Sequence, residues 1–185
     1  MIRTIRDATA DDLAAITALY GREVVNGSAT FELDPPPPDE MARRFAAVGA
    51  LGLPWLTAEI DGAFAGYAYT SPFRTRPAYR YGVEGSIYIE ETARGRGVGR
   101  ALLEALIERT REMGLRHVIA AISDSDTSAA SIGLHGALGF REVGVYREVG
   151  WKFERWLDVT LMQLDLAPGG EPPRGPGLDL VSGLA

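Results

Sequence analysis

Three arginines and three glycines share a run of eight residues, Arg94-Gly95-Arg96-Gly97-Val98-Gly99-Arg100-Ala101. An apolar segment precedes this run and a helical pattern of leucines follows it. Glycines at a strand-to-helix junction let backbone N–H groups point at a ligand, and the first turn of the helix adds the positive end of its dipole. Guanidinium groups bind phosphate oxygens in a bidentate manner. The run therefore predicts a site for a polyanion such as a pyrophosphate.

The spacing of the glycines separates this run from two common phosphate-binding motifs. A P-loop ends in Gly-Lys-Ser/Thr, and a dinucleotide-binding turn has the pattern Gly-x-Gly-x-x-Gly. Gly95, Gly97 and Gly99 instead recur at every second residue, and several predicted strands come before them. A tight turn without a ligand needs one or two glycines and no cluster of arginines. The phosphate site is therefore the favoured interpretation of the run.

Composition argues against several other classes of function. The 185 residues fit one domain with a sizeable core. The net charge of −6 argues against nucleic acid as the main partner, because nucleic-acid binding needs a basic face. With no cysteine and two histidines, the chain is expected to hold neither a disulfide nor a metal. The sequence shows no membrane-length apolar run and no signal peptide, so we expect a cytoplasmic protein without a membrane partner.

The elements around the run predict an α/β (α+β) fold. Thr9 and Asp12 form a helix-capping pattern, a second helix is expected near Asp39, and Asp61-Gly62 is typical of a hairpin turn. Apolar patterns predict strands at 2–6, 55–60, 63–70, 83–89, 117–122, 140–149 and 157–166, and later helices at 101–113 and 131–138. Helices alternate with strands, and hairpins lie at both ends of this order. A mixed sheet is therefore expected rather than a fully parallel one.

The domain is predicted to span residues 1–166. Residues 167–185 are rich in proline and glycine, and we expect them to form a flexible C-terminal tail.

The run from Arg94 to Gly99 also matches the pattern Arg/Gln-x-x-Gly-x-Gly/Ala and is similar to the pyrophosphate loop of the GNAT N-acetyltransferases. Other segments resemble the phosphinothricin and methionine-sulfone acetyltransferase branch of that family: Thr30-Phe31, Trp55-Leu56-Thr57-Ala58-Glu59, Phe73-Arg74-Thr75-Arg76-Pro77-Ala78-Tyr79, Val83-Glu84-Gly85-Ser86-Ile87-Tyr88, Leu134-His135-Gly136-Ala137-Leu138-Gly139-Phe140 and Gly150-Trp151-Lys152-Phe153-Glu154-Arg155-Trp156-Leu157-Asp158-Val159. The resemblance implies the GNAT fold, with a mixed, mostly antiparallel sheet, flanking helices and a splayed V between two central parallel strands. It also implies acetyl-CoA as co-substrate and a homodimer.

Acetylation of an amine needs a base, because an α-ammonium group is mostly protonated near pH 7. The resemblance places the branch's proposed catalytic glutamate at Glu84 and its second proposed catalytic residue at His135. Burial beside a sheet would raise the pKa of Glu84 and make it a better base. Judged from the residues alone, Glu84 is an ordinary glutamate at a strand end and His135 a packed helix residue. Both interpretations stay open at this point.

The resemblance also assigns the cofactor-binding residues. The backbone of Ile87, Tyr88 and Ile89 would pair with the amide groups of pantetheine, as one strand pairs with another. The whole run of eight residues would hold the pyrophosphate, and Ser131 would meet the cofactor from the next helix. The branch usually has an asparagine three residues before that serine, where this chain has Ser128. We expect an asparagine contact to be lost or replaced there.

The acceptor site is expected to use residues from three segments. Arg76 would pair with a carboxylate or with phosphinate or sulfone oxygens, whereas Arg74 is expected to be a solvated loop residue. Phe31 and Tyr79 would form an apolar wall, with plain core contact as the alternative. Lys152 and Trp156 would close the acceptor site or lie in a dimer contact.

The sequence thus predicts transfer of an acetyl group from acetyl-CoA to the α-amino group of a small amino-acid-like acceptor. Glu84 would act as general base in a direct attack, because the chain has no cysteine to form an acetyl-enzyme. One alternative acceptor is a protein N-terminus or a polyamine. An alternative of another class is an acyl-CoA-binding sensor without catalysis.

Overall fold

A computed structural model describes residues 3–124, 128–167, 169, 172–173 and 175–180. It contains a single seven-stranded sheet with helices on both faces. The strands are β1 (Arg3–Asp7), β2 (Trp55–Ile60), β3 (Ala63–Pro72), β4 (Gly82–Ile89), β5 (His117–Ser123), β6 (Arg141–Lys152) and β7 (Arg155–Asp165). The helices are α1 (Leu13–Asn26), α2 (Pro38–Ala50), α3 (Val98–Glu112) and α4 (Ser128–Ala137). Within these ranges, no helix is long and apolar enough to cross a membrane.

The two central strands run parallel and then separate. The sheet order is β1-β2-β3-β4-β5-β7-β6, and every neighbouring pair is antiparallel except β4 and β5. Residues 82–84 pair with 117–119, and the pairing stops at Glu84 although β4 continues to Ile89. The strands therefore splay into a V, and the expected mixed, mostly antiparallel sheet is confirmed.

Helices cover the sheet on opposite faces. Tyr88 of β4 contacts Tyr20 of α1 edge-to-face at 5.3 Å between ring centroids. Gly85 of the same strand faces Leu106 of α3. Because successive strand residues point to opposite faces, α1 lies on the face of Tyr88 and Glu84, and α3 lies on the other.

Several local predictions are confirmed. Asp61 and Gly62 both have positive φ, as the tight turn between β2 and β3 requires. The Thr9 N–H donates to Asp12 Oδ2 at 2.7 Å, and one 3₁₀ turn separates this cap from α1. Pro38 is the first residue of α2, a position that proline fits because its missing N–H would have no acceptor there.

Element boundaries differ from prediction near the glycine run and the last hairpin. Helix α3 begins at Val98 rather than at 101, because Gly97 in a left-handed conformation already turns the chain into the helix. Helix α4 begins at Ser128 rather than at 131. Strands β6 and β7 extend to a two-residue turn at Phe153 and Glu154, which both have positive φ without being glycine. The predicted ends at 149 and 157 are therefore too short.

Part of the predicted tail lies on the domain. Residues 175–180 run along the start of β4, and Leu178 and Leu180 are buried in the hydrophobic core. For these six residues the structure differs from the expected free segment, because two leucines among the prolines and glycines find apolar surface to cover.

Candidate active site

The splay of the sheet leaves one edge of β4 without a strand partner. Residues 83–89 of β4 pair with 66–72 of β3 on one side, while pairing to β5 ends at Glu84. The peptide groups beyond Glu84 on the β5 side are therefore available to a ligand that carries amides of its own. This is the arrangement that the backbone of Ile87, Tyr88 and Ile89 needs in order to bind pantetheine.

A cavity of about 300 Å³ occupies the V. Its walls come from β4, β5, α4 and the turn before α3. The residues that line it include Ile87, Tyr88, Ile89, Arg94, Gly95, Gly97, Val98, Gly99, Ser128, Ser131 and His135. Most of the cofactor residues expected from the sequence thus surround one space.

The turn into α3 directs backbone donors at this cavity. Gly95 and Gly97 have φ values of 71° and 79°, which glycine adopts without strain. A Cβ at Gly99 would lie 3.3 Å from Cδ2 of Leu134, so glycine also permits the close approach of α3 and α4. The first four N–H groups of a helix have no acceptor within it. Together with the helix dipole, they make the start of α3 an anion site.

The arginines of the run point in different directions. Arg94 lines the cavity and pairs with Glu23 of α1 at 2.9 Å. Arg100 pairs with Glu104 one turn further along α3, at 2.8 Å on an exposed surface. Arg96, Arg100 and Ala101 are not among the residues that line the cavity. The backbone and Arg94 therefore dominate the anion site as the structure has it.

Glu84 lies at the point where β4 and β5 part. Its side chain is partly buried, and burial raises the pKa of its carboxyl group above the ordinary value for glutamate. The charge of Arg74 acts in the opposite direction and lowers the pKa of that carboxyl. Glu84 shares a sheet face with Ser86 and Tyr88, and Ser71 of β3 is its neighbour across the sheet. Burial thus makes this carboxylate a stronger proton acceptor than that of an ordinary exposed glutamate.

His135 is buried in α4 with a defined ring orientation. Its Nδ1 lies 2.8 Å from the carbonyl oxygen of Ser131, and its ring stands edge-on to Phe140 at 4.9 Å. A carbonyl only accepts, so Nδ1 carries the proton and Nε2 keeps a free lone pair. Burial lowers the pKa of His135, which keeps the ring neutral near pH 7. Among the described residues, no hydrogen bond joins His135 to Glu84.

Arg74 lies at the surface, as expected of a solvated loop residue. Its side chain is exposed, with its guanidinium carbon 5.1 Å from the centroid of the Phe73 ring, yet its charge acts on Glu84. The register explains this influence, since Pro72 pairs with Val83 and the following residues stay near the start of β4. If the predicted strands at 63–70 and 83–89 are paired as one antiparallel hairpin, Arg74 comes close to Glu84.

The expected acceptor residues lie in three places outside the cofactor cavity. Arg76 and Tyr79 are exposed in the loop between β3 and β4, where Tyr79 stands edge-on to Phe73 at 5.7 Å. The ring of Phe31 lies directly against the backbone of Gly150 in β6. These placements leave the roles proposed for the three side chains as predictions.

Lys152 is buried rather than open to a ligand. Its Nζ donates to the carbonyl oxygens of Gly27 and Thr30, both at 2.8 Å, and burial lowers its pKa. Lys152 thus ties the last hairpin to the segment between α1 and α2. Trp156 is 56% exposed and contacts Trp151 edge-to-face at 5.1 Å.

A second cavity, of about 360 Å³, lies between α2 and the sheet on the face of Glu84. Stacked aromatic rings form its floor, with 4.3 Å between the ring centroids of Trp55 and Tyr69. Its other lining residues include Tyr20, Met41, Arg44, Val48, Tyr67 and Ser71, and the last of these is the neighbour of Glu84 across the sheet. Sequence reasoning missed this cavity, although tyrosines at alternate positions of β3 were a visible signal.

Comparison with known proteins determines the family. The family model described as "Acetyltransferase (GNAT) domain" matches residues 5–161. The chain belongs to the GNAT acetyltransferase family. It is 49% identical to a phosphinothricin N-acetyltransferase of Alcaligenes faecalis, over 91% of this chain and 83% of that protein. It is 42% identical to an L-methionine sulfoximine/L-methionine sulfone acetyltransferase of Pseudomonas paraeruginosa, over 94% of this chain and 100% of that protein.

A solved GNAT structure contains acetyl-CoA. The phosphinothricin acetyltransferase of Sinorhizobium meliloti in complex with AcCoA matches with a TM-score of 0.90 and 43% identity, over 98% of both chains. This GNAT chain is an acetyl-CoA-dependent N-acetyltransferase.

Proposed function

We propose that this enzyme acetylates the α-amino group of a small amino-acid-like acceptor of the phosphinothricin, methionine sulfone or methionine sulfoximine type. The observation that carries the proposal is the position of Glu84. Its carboxyl group, with a pKa raised by burial, lies where the acetyl-CoA edge of β4 begins. The names of two relatives at 49% and 42% identity support this class of acceptor.

Acetyl-CoA supplies an acetyl group activated as a thioester. The unpaired edge of β4, at Ile87, Tyr88 and Ile89, binds the pantetheine amides, and a backbone N–H there polarises the thioester carbonyl. The first turn of α3, with Arg94, binds the pyrophosphate, and Ser128 and Ser131 line the same cavity from α4.

Glu84 accepts a proton from the acceptor's ammonium group, directly or through a water molecule. The neutral amine then forms the N–C bond to the acetyl carbon, the C–S bond breaks, and the second proton of the new amide nitrogen passes to water. The sulfur leaves as a thiolate, whose conjugate acid has a pKa only modestly above neutral. His135, neutral and with Nε2 free to accept, orients Glu84 or relays its proton through water.

The acceptor's other groups meet the face of the sheet that carries Glu84. Arg74 and Arg76 in the loop after β3 pair with its carboxylate and with phosphinate or sulfone oxygens. The aromatic cavity beside Ser71 takes the apolar part of its side chain. Phe31 and Tyr79 would add apolar contacts to the acceptor, and Lys152 fixes the segment that carries Phe31.

We further propose a homodimer that uses the last hairpin. Six large apolar side chains of β6, β7 and their turn are between 49% and 58% exposed, and exposed apolar side chains grouped on one hairpin are typical of protein contacts. They are Val143, Tyr146, Val149, Trp151, Phe153 and Trp156.

The test is a thiol-release assay with acetyl-CoA and a panel of acceptors. The panel contains phosphinothricin, methionine sulfone, methionine sulfoximine, ordinary amino acids and polyamines. We expect preference for acceptors with a tetrahedral, oxygen-bearing side chain. A strict preference for polyamines would overturn the proposed acceptor, and acetyl-CoA binding without turnover of any acceptor would favour a sensor.

The role of Glu84 is tested with Glu84→Gln. We expect kcat to fall by roughly 10²- to 10⁴-fold, the usual contribution of general base catalysis. Acetyl-CoA binding should be unchanged, because the cavity is lined by other residues. Glu142→Gln, an exposed glutamate on β6, is the matched control. Full turnover by Glu84→Gln would refute the assignment.

A further inference from the structure

The described residues near the C-terminus make a specific set of contacts with the loop between β3 and β4. We name residues 175–180 the C-terminal strap and residues 73–81 the acceptor loop. The Leu178 N–H donates to the Arg80 carbonyl oxygen at 2.8 Å. In return, Arg80 Nε donates to the Pro176 carbonyl oxygen at 3.0 Å, and the Tyr81 hydroxyl donates to that of Gly175 at 2.7 Å. Three hydrogen bonds therefore join the strap to the last two residues of the acceptor loop.

Close contact at Gly177 adds to these hydrogen bonds. Its φ is 72°, and an added Cβ would lie 2.7 Å from the Arg80 carbonyl oxygen and 2.8 Å from Cε1 of Tyr81. Only glycine allows both this conformation and this approach. Leu178 and Leu180, which follow Gly177, are 6% and 8% exposed, so the strap is also held by apolar burial. The C-terminal strap therefore packs specifically against the domain.

The strap binds Arg80 and Tyr81, which are the last two residues of the acceptor loop. The Phe73 N–H donates to the Gly82 carbonyl oxygen at 3.2 Å and closes the loop at its base. Inside it, the Tyr79 N–H donates to the Arg76 carbonyl oxygen at 2.9 Å, and Arg80 donates to that of Pro77. The outer side chains, by contrast, are exposed. The order of the loop thus depends on its two ends, and the strap fixes one of them.

We propose that the C-terminal strap positions the acceptor loop, and so sets the affinity for the anionic group of the acceptor without touching acetyl-CoA. This inference rests on the function proposed above, which assigns acceptor binding to Arg74, Arg76 and Tyr79. Gly177 and Leu178 act through Arg80 and are positioning residues. Neither lines the acetyl-CoA cavity.

The test compares two glycine variants of the full chain. In Gly177→Ala the new Cβ meets Arg80 and Tyr81, whereas in the control Gly175→Ala the Cβ has no atom within 4 Å. We expect Gly177→Ala to raise KM for the acceptor roughly three- to tenfold and to leave kcat and KM for acetyl-CoA unchanged. Tyr81→Phe, which removes one hydrogen bond, should raise the same KM by a smaller factor. An unchanged acceptor KM, or an equal rise in both KM values, would overturn the inference.

Hydrogen exchange provides a second readout that does not require turnover. The amides of Phe73, Tyr79 and Arg80 should exchange faster in Gly177→Ala than in the wild type or in Gly175→Ala. Unchanged exchange would refute the strap even if the proposed acceptors are turned over. Faster exchange in an enzyme that acetylates none of those acceptors would support the strap and reject the proposed function.

Discussion

At the scale of single residues, two opposing influences set the proton affinity of Glu84. Burial makes the charged carboxylate costly and raises its pKa, while the nearby cation of Arg74 stabilises the carboxylate and lowers that pKa. A general base works best when its pKa lies near the working pH. The exposed arginine therefore counteracts the effect of burial on the proposed base, in addition to any contact with the acceptor.

Replacing Arg74 by an uncharged residue should shift the pH dependence of kcat/KM toward higher pH. In Arg74→Ala the pKa of Glu84 rises, so a larger fraction of the base is protonated at any acidic pH. The acidic limb of kcat/KM should then shift to higher pH than in the wild type, measured by thiol release between about pH 5 and 8. Arg76→Ala is the matched control, since it lies in the same loop and is not among the influences on Glu84. A limb that stays in place, or moves down, would contradict this account.

Residue roles were only partly accessible from sequence. Glu84 and His135 were singled out by resemblance, because an isolated glutamate or histidine has no periodic signal of its own. The structure adds what a sequence does not contain, namely the burial of both side chains and the bond from His135 to the Ser131 carbonyl. From the chain alone, Arg76 was expected to bind the acceptor and Arg74 to be solvated, and the structure adds the influence of the Arg74 charge on Glu84.

At the scale of elements, the turn into α3 is the most constrained part of the site. Gly97 is the N-cap of the helix and has a left-handed conformation. A side chain with a Cβ costs about 1–2 kcal/mol in that conformation. The same residue orients the first N–H groups of α3, so backbone geometry and anion binding are coupled at one position.

Gly97→Ala should therefore weaken acetyl-CoA binding and lower stability together. We expect KM for acetyl-CoA to rise severalfold, KM for the acceptor to stay the same, and the free energy of unfolding to fall by about 1 kcal/mol. Gly133→Ala in α4 is the control: it lies inside a helix with open space around it and should raise stability by about 0.5–1 kcal/mol. Steady-state kinetics and thermal unfolding test both variants. An unchanged KM for acetyl-CoA in Gly97→Ala would show that these donors do not bind the pyrophosphate.

Elements with a standard chemical signal were predicted well, and those without one were not. The dipeptide Asp61-Gly62 predicts a turn because both residues tolerate positive φ. Phe153 and Glu154 adopt positive φ without any such preference, so the last hairpin was predicted too short. The start of α4 at Ser128 falls within a polar stretch that resembles a loop. Tertiary contacts decide these boundaries, and local sequence does not encode them.

At the scale of the whole molecule, the proposed sites for the acceptor, the base and the cofactor follow one another along β4. Pairing of β4 with β5 stops at Glu84, which frees the edge proposed to bind the cofactor and leaves the proposed base at the beginning of that edge. The anion site and the acceptor loop lie at opposite ends of β4. The resemblance to the GNAT family predicted the two parallel central strands, and the structure adds the residue at which their pairing ends. The contact of residues 175–180 with Arg80 and Tyr81 was not predictable, because it joins segments that are distant in the chain.

The exposed hairpin leads to a prediction about the assembly. Trp151 and Trp156 are directly paired across β6 and β7, and each exposes more than half of its surface. Burying these two rings against a second copy of the chain would remove a large apolar area from water. Tryptophan is prominent among the residues that dominate the energetics of protein interfaces. We expect the wild type to sediment as a dimer at micromolar concentration and the Trp151→Ser/Trp156→Ser variant to sediment as a monomer. Val25→Ser, which changes a similarly exposed side chain on α1, should remain dimeric. A monomeric wild type, or a double variant that still dimerises, would place the interface elsewhere or remove it.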